Sequence, residues 1–250
     1  MRRLFVPPDR LKGDRVAVEG EAHRYLARVL RARAGDRLTL FDGCGVEADA
    51  EVVSVERSQT VLALGPRRAA AGAPGARIVL LQSLARGERM DWIVQKTSEL
   101  GVSRIVPVVT DRSGGLLPAA AAARRQRWEK IAREAARQSG RADVPAIEDV
   151  LPLRDAFAAS ARDGDGDAGA NLRLVLWESS RGHPLARALD AQPRAVTLLI
   201  GPEGGLAESE IADAQEAGFT VVGLGPRILR VETAAVVAVA LVQAAAGGLD

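Results

Sequence analysis

Two glycine-bearing segments near the C-terminus constrain this chain more than any other feature: Ile200-Gly201-Pro202-Glu203-Gly204-Gly205 and Leu224-Gly225-Pro226-Arg227-Ile228-Leu229-Arg230-Val231-Glu232-Thr233-Ala234. Each follows an apolar, strand-like run and precedes a helix-like one. Open α/β sheets bind their ligands at such strand ends, so two loops of this kind predict one shared site. Neither loop is a phosphate cradle, because a P-loop requires GxxxxGK[ST] and the dinucleotide fingerprint requires GxGxxG at the start of a helix. Pro202 lacks an amide donor, and Glu203 sets a carboxylate where a pyrophosphate would approach, which is electrostatically unfavourable. A neutral or cationic ligand suits the loops better. S-adenosylmethionine, a sulfonium with neutral adenine and ribose, matches glycines that bring bare backbone close to a ligand.

Strand-like runs at 77–83, 104–110, 172–177, 195–200 and 219–224 alternate with helical ones, a pattern that predicts a mostly parallel sheet covered by helices. In the helix from Met90, the residues Met90, Ile93, Val94, Thr97 and Leu100 share one face, Lys96 and Glu99 lie off it, and Gly101 supplies the stop. A second helix, from about Pro118 to Ser139, sets Lys130, Arg133, Arg137 and Arg141 opposite Trp128, Ile131 and Ala135.

The N-terminal part reads differently. Short strands at 3–7, 15–20, 36–42, 46–56 and 60–64, with Asp42-Gly43 as a hairpin signal and one interrupting helix, predict a small barrel. In that helix Ala22, Leu26, Val29 and Leu30 form an apolar face, and Arg24, Arg28 and Arg31 lie on another. Residues 65–76 are rich in Gly, Pro and Ala and form the expected linker between a domain at 1–68 and a domain at 77–250.

The net charge of +2 predicts no partner. Its distribution does: 112–141 carries eight basic residues against Glu129 and Glu134, a footprint suited to nucleic acid. The single cysteine, Cys44, excludes an internal disulfide, and the absence of a charged, apolar leader predicts a cytoplasmic protein. His23 and His183 have no ligand-spaced partners, so no metal site is expected and both histidines are read as structural. The acidic run beginning at Asp163 lacks the later Glu of a calcium loop.

These loops, together with Gln95-Lys96-Thr97-Ser98-Glu99-Leu100-Gly101-Val102, Pro107, Arg112-Ser113, Glu134-Ala135, Gln138-Ser139, Arg141 and Pro145, resemble the SPOUT (trefoil-knot) methyltransferases, and within them the RsmE-type enzymes. Arg3, Phe5, His23, Val29-Leu30-Arg31 and Gly35-Asp36 extend the resemblance, and the matches run in order over nearly the whole chain. Leu206, Ala207 and Val231 depart from residues common in the family, without removing a group that the chemistry uses. The resemblance implies an α/β fold: a SPOUT trefoil-knotted, parallel-sheet methyltransferase domain with an N-terminal small β-barrel, PUA-like and RNA-binding. It also implies a homodimer and S-adenosyl-L-methionine-dependent methylation of N3 of a uridine, conventionally U1498, in 16S rRNA of the small ribosomal subunit. A SPOUT ribose 2'-O-methyltransferase acting on rRNA or tRNA, and a non-catalytic rRNA-binding assembly factor, are the alternative expectations.

On that resemblance the methyl donor is expected against Leu176, Glu178, Ile200, Gly201, Pro202, Gly204, Gly205, Leu224, Gly225, Ile228, Leu229 and Thr233. RNA is expected along Arg3, Arg24, Arg28, Arg31, Arg112, Arg133, Arg137 and Arg141. Uracil N3 must lose a proton on methylation, which calls for a base or for stabilisation of the developing anion. Glu203 is the first candidate base and Glu232 the second, with Arg227 and Arg230 as the anion-stabilising cations.

Overall fold

The computed structural model describes residues 2–70, 75–113, 118–161, 171–178 and 183–249. They group into two compact units, 1–72 with 133–144, and 73–132 with 145–250. The acidic run at 163–169 lies outside the described residues.

In the first unit, β1 (Arg3–Phe5), β2 (Arg15–Glu19), β3 (Arg37–Phe41), β4 (Val46–Val55) and β5 (Gln59–Ala69) form a curled sheet in the order β1-β3-β4-β5-β2. β1 pairs in parallel with β3, and the remaining pairs are antiparallel. Alternation sets the faces: Ala48, Ala50 and Val52 of β4 point into a core with Val16, Val18, Leu38, Leu40 and Leu62. The Asp42-Gly43 signal does make the β3–β4 turn. The Asp42 carboxylate accepts the N–H groups of Cys44 (2.7 Å) and Val46 (3.0 Å), and Gly43 and Gly45 supply positive φ.

Two expectations are corrected in this unit. The linker reading of 65–76 fails at its start, because β5 continues through Gly65-Pro66 to Ala69. The register jumps there, with Ala50 opposite Leu64 and Ala48 opposite Arg67, so a bulge accommodates the proline that a regular ladder would reject. The expected apolar helix face also breaks. After α1 (Gly20–Arg24) the chain makes a π-helical turn over Tyr25–Val29, with the Leu30 N–H donating to the Tyr25 carbonyl. The extra residue in that turn swings Val29 into solvent at 68% exposure, while Leu26 stays buried. His23 is buried and shares a 2.9 Å hydrogen bond with the Thr60 hydroxyl.

The second unit holds β6 (Arg77–Ser83), β7 (Arg104–Val109), β8 (Ala146–Ile147), β9 (Leu151–Pro152), β10 (Leu172–Leu176), β11 (Ala195–Ile200) and β12 (Thr220–Val222). Its parallel sheet runs β12-β10-β11-β6-β7-β8, and β9 also pairs with β7. Every residue of β11 is buried, the continuous apolar run expected of a strand covered on both faces. The helices are α2 (Arg89–Glu99), α3 (Pro118–Ser139, whose residues from 133 on belong to the first unit), α4 (Leu153–Ala161), α5 (Leu185–Ala188), α6 (Glu208–Glu216) and α7 (Val231–Ala245). Leu153, Ala156 and Phe157 of α4 and Ile211 and Ala214 of α6 pack on Val79, Leu81, Val106, Val175 and Leu199 of the sheet. On the other side α7 packs against α2 and β11. From the central pair β6 and β11 the chain departs in opposite directions across the sheet, so the switch point lies between them.

One buried amide ties this unit together. The Gln243 side chain of α7 accepts the Ala76 N–H (3.0 Å) and donates to the carbonyls of Ala76 and Gly101 (3.2 Å each). Gln243→Ala would strand those groups, at about 1–3 kcal/mol for each one left buried and unpaired. A lowered urea midpoint with an unchanged slope is the expected result, and an unchanged midpoint would remove the tie.

No helix among the described residues is long and apolar enough to cross a membrane. Among the described residues no group of three or more His, Cys, Asp or Glu side chains could hold a metal ion.

Candidate active site

The carboxyl ends of β10, β11 and β12 open into a cleft of about 440 Å³, in the range of small-molecule sites. The expected donor-binding residues Leu176, Glu178, Ile200, Gly201, Pro202, Gly205, Leu224, Gly225, Ile228 and Leu229 line it, as do Glu203, Arg227, Arg230 and Glu232. Two expected residues do not. Gly204 packs instead on Arg112, whose Nη1 donates to the Gly204 carbonyl at 2.9 Å, and Thr233 lines an adjoining cleft.

The glycines are required by space and by backbone. Gly205 has φ +71°, and a Cβ there would stand 2.7 Å from a Glu178 carboxylate oxygen. Its N–H closes a tight turn onto the Pro202 carbonyl at 2.9 Å. A Cβ at Gly201 would meet the Leu206 side chain at 3.0 Å and the Leu206 backbone nitrogen at 3.2 Å. Behind this loop the buried Glu210 carboxylate accepts the N–H groups of Asp111 and Ala207, each at 2.8 Å, joining the end of β7 to the start of α6. The segment after β12 is held alongside 183–185, where the Gly223 N–H donates to the His183 carbonyl and Gly223 accepts from the Leu185 N–H.

Arg89 links the two loops, and no motif in the sequence signals it. It donates to Glu203 at 2.8 Å, and its Nε lies 3.7 Å from Glu232 Oε2. Glu203 also accepts the Arg86 N–H at 2.9 Å. Burial pushes the Glu203 carboxyl up, but the Arg86 N–H and the Arg89 guanidinium outweigh it and hold the group below the usual carboxylate range. A carboxylate so held is a poor base. Glu232 contrasts with it: Oε2 is buried and accepts no hydrogen bond within the described residues.

The Glu203 cluster has a pH signature. Its folded pKa lies below the unfolded value of about 4.3, so the stabilisation is complete above that pH and is lost as pH falls through the folded value. Thermal melts of wild type and Glu203→Gln should therefore differ by a constant amount above about pH 5, with the gap closing as the pH falls below the ordinary carboxylate range. A gap independent of pH would contradict the assignment.

Of the eight arginines expected to contact RNA, Arg112 is held on the Gly204 carbonyl, and the other seven divide into two groups. Arg24 and Arg28 are exposed on α1 and its π-helical extension, whereas Arg31, also exposed, lies past that turn at φ +49°, so the expected helical stripe of three stops at two. Arg3, Arg133, Arg137 and Arg141 are committed within the first unit. Arg3 pairs with Glu47 (3.0 Å) and lies over Phe41, and Arg133 lies over Phe5. Arg137 pairs with Glu134 (2.7 Å), donates to the Tyr25 hydroxyl and covers the Tyr25 ring, and Arg141 pairs with Asp143. Arg227 and Arg230 are exposed and have no ion-pair partner among the described residues. Their charge is available to a ligand.

A concave site with bare glycine backbone, no phosphate-binding loop, and three carboxylates balanced by three arginines suits a ligand that joins a sulfonium to neutral adenine and ribose better than a polyphosphate. Comparison with known proteins agrees with that chemistry. Residues 73–243 match the family model described as an RNA methyltransferase domain, and residues 18–62 match the RNA methyltransferase PUA domain. The chain is 33% identical over 235 residues to the ribosomal RNA small subunit methyltransferase E of Bacillus subtilis (strain 168), covering 91% of this chain and 89% of the relative. A solved ribosomal RNA small subunit methyltransferase E from Neisseria gonorrhoeae, bound to S-adenosyl methionine, superposes with a TM-score of 0.84 at 34% identity, covering 96% of this chain and 95% of that one. A putative methyltransferase from Legionella pneumophila, solved in complex with the same cofactor, gives a TM-score of 0.84 at 30% identity over 98% and 97% of the two chains.

Proposed function

This chain belongs to the RNA methyltransferase family that includes the ribosomal RNA small subunit methyltransferases E, and from that membership we propose that it methylates N3 of one uridine of 16S rRNA in the small ribosomal subunit. It is an S-adenosylmethionine-dependent rRNA methyltransferase. The observation that carries the finer reading is the cleft itself, where two exposed arginines and a carboxylate oxygen without a hydrogen-bond donor meet beside the glycine loops.

When bound, S-adenosylmethionine supplies an electrophilic methyl group on a sulfonium. The protein's own task is to hold the acceptor nitrogen in line with that methyl, exclude water, and manage the N3 proton. In this reading Arg227 and Arg230 stabilise negative charge developing on the uracil carbonyl oxygens. Glu232 Oε2 takes the N3 proton. Glu203, held by two donors, positions Arg89 and the first loop instead of acting as the base. The sulfonium, once its methyl has left, is a neutral thioether, so proton and charge both balance.

The same proposal makes residues 1–68 an RNA-binding unit that presents Arg24, Arg28 and Arg31, and residues 77–250 the trefoil-knotted catalytic unit. It works in the cytoplasm as a homodimer, for which the 39% exposed Leu241 on α7 is the supporting feature. Reverse transcription of treated 16S rRNA tests the target atom. A methyl at N3 lies on the pairing edge and stops the polymerase at one uridine, whereas a ribose methyl leaves pairing intact. One new stop that requires both protein and donor is expected; full read-through would refute N3 as the acceptor.

A further inference from the structure

Next to the donor cleft lies a second and more open one of about 740 Å³, between α2, α3 and the first turn of α7. The two share Arg89, Arg230 and Glu232. On the side away from the glycine loops the second cleft is walled by Trp92, Gln95 and Arg127.

Trp92 stands out. The buried face of α2 is Met90, Ile93, Val94 and Thr97, and Trp92 lies off it with 42% of its surface in solvent. The chain has only three tryptophans, and the packing of α2 does not require this one. Beside it Asp91 accepts the Trp128 indole N–H at 3.0 Å and pairs with Arg127, which keeps a 62% exposed guanidinium on the rim. The cleft thus joins an aromatic face to cationic edges, the combination that binds an unstacked nucleotide by stacking and phosphate contact. In-line methyl transfer also needs the acceptor to enter from a space contiguous with the donor cleft. Glu232 Oε2, without a hydrogen-bond donor, lies where the two meet.

We propose that this second cleft receives the acceptor nucleotide of the RNA, flipped out of its stack, with its base on the Trp92 ring, its phosphate toward Arg127 and its reactive edge toward Arg230 and Glu232. The assignment rests on the chain's being an RNA methyltransferase and does not depend on which base is modified.

The test is steady-state methyl transfer to small ribosomal subunits by wild type, Trp92→Ala and Trp92→Phe, with donor affinity from titration calorimetry and oligomeric state from sedimentation. The expected result is a KM for subunits roughly ten- to a hundred-fold higher in Trp92→Ala, largely restored in Trp92→Phe, with donor affinity and sedimentation unchanged. An unchanged KM, a parallel loss of donor affinity, or a changed assembly state would each overturn the proposal, the last by making the cleft a subunit interface. Wild type that binds the donor but methylates no RNA would instead sink the functional reading, and this inference with it.

Discussion

Glu232→Gln is expected to slow methyl transfer at saturating RNA and donor by about 10²–10⁴-fold, the usual worth of a positioned proton acceptor. The substitution keeps size and shape, so the packing at the start of α7 survives. The carboxylate also sits in the first turn of that helix, where a negative charge contributes roughly 0.3–1 kcal/mol through the helix dipole. The stability cost should therefore be small beside the kinetic one. Glu203→Gln separates the two acids, because it loosens the Arg86 and Arg89 contacts and should weaken donor binding more than the chemical step. Single-turnover rates with excess enzyme give the comparison directly. Wild-type rates in Glu232→Gln would remove that residue from proton transfer and leave the arginines to stabilise an N3 anion formed by other means.

Gly205→Ala should carry the second large effect, on donor affinity. A residue with a Cβ at φ +71° is strained by roughly 1–2 kcal/mol. The new carbon would also stand 2.7 Å from the Glu178 carboxylate, so Glu178 must leave its place on the cleft wall. The free protein relieves both by moving the loop and Glu178 off the donor-binding geometry, and recovering that geometry on binding predicts a loss of between about ten- and a few hundred-fold in affinity, taking each 1.4 kcal/mol as a factor of ten. Gly225→Ala is the control. Gly225 has φ +96° but no atom within 4 Å of a Cβ, so only the backbone strain applies and the loss should be smaller. Calorimetric titration with S-adenosylmethionine measures both, and equal losses would mean that the Glu178 contact is irrelevant.

Much of the catalytic unit was legible because its signals are local. A short, β-branched and apolar run such as Ala195–Ile200, bounded by turn residues, reads as a strand buried on both faces, and a glycine loop at its end marks the ligand side. The α2 face was equally plain from its period. What escaped depends on contacts between residues far apart in the chain. Arg89 meets Glu203 across 114 positions, and Gln243 meets Ala76 across 167. Neither pairing leaves a periodic trace. The N-terminal corrections have another cause: one extra residue in a turn or a ladder, at Tyr25–Val29 and at Gly65-Pro66, shifts every later side chain, and composition does not report it. The arginine series from Lys130 to Arg141 shows the reverse hazard. Its spacing reads as one surface, yet Arg133 and Arg137 lie over aromatic rings and Arg141 pairs with Asp143.

The central claim is that the two-loop cleft presents the methyl donor to a uracil nitrogen of small-subunit rRNA. It is tested most directly by incubating the protein with labelled S-adenosylmethionine and small ribosomal subunits lacking the modification, digesting the RNA to nucleosides, and identifying the labelled product by mass. Label in N3-methyluridine, formed far more slowly with Glu232→Gln, is the predicted result. Label on a ribose, or no transfer at all, would contradict it.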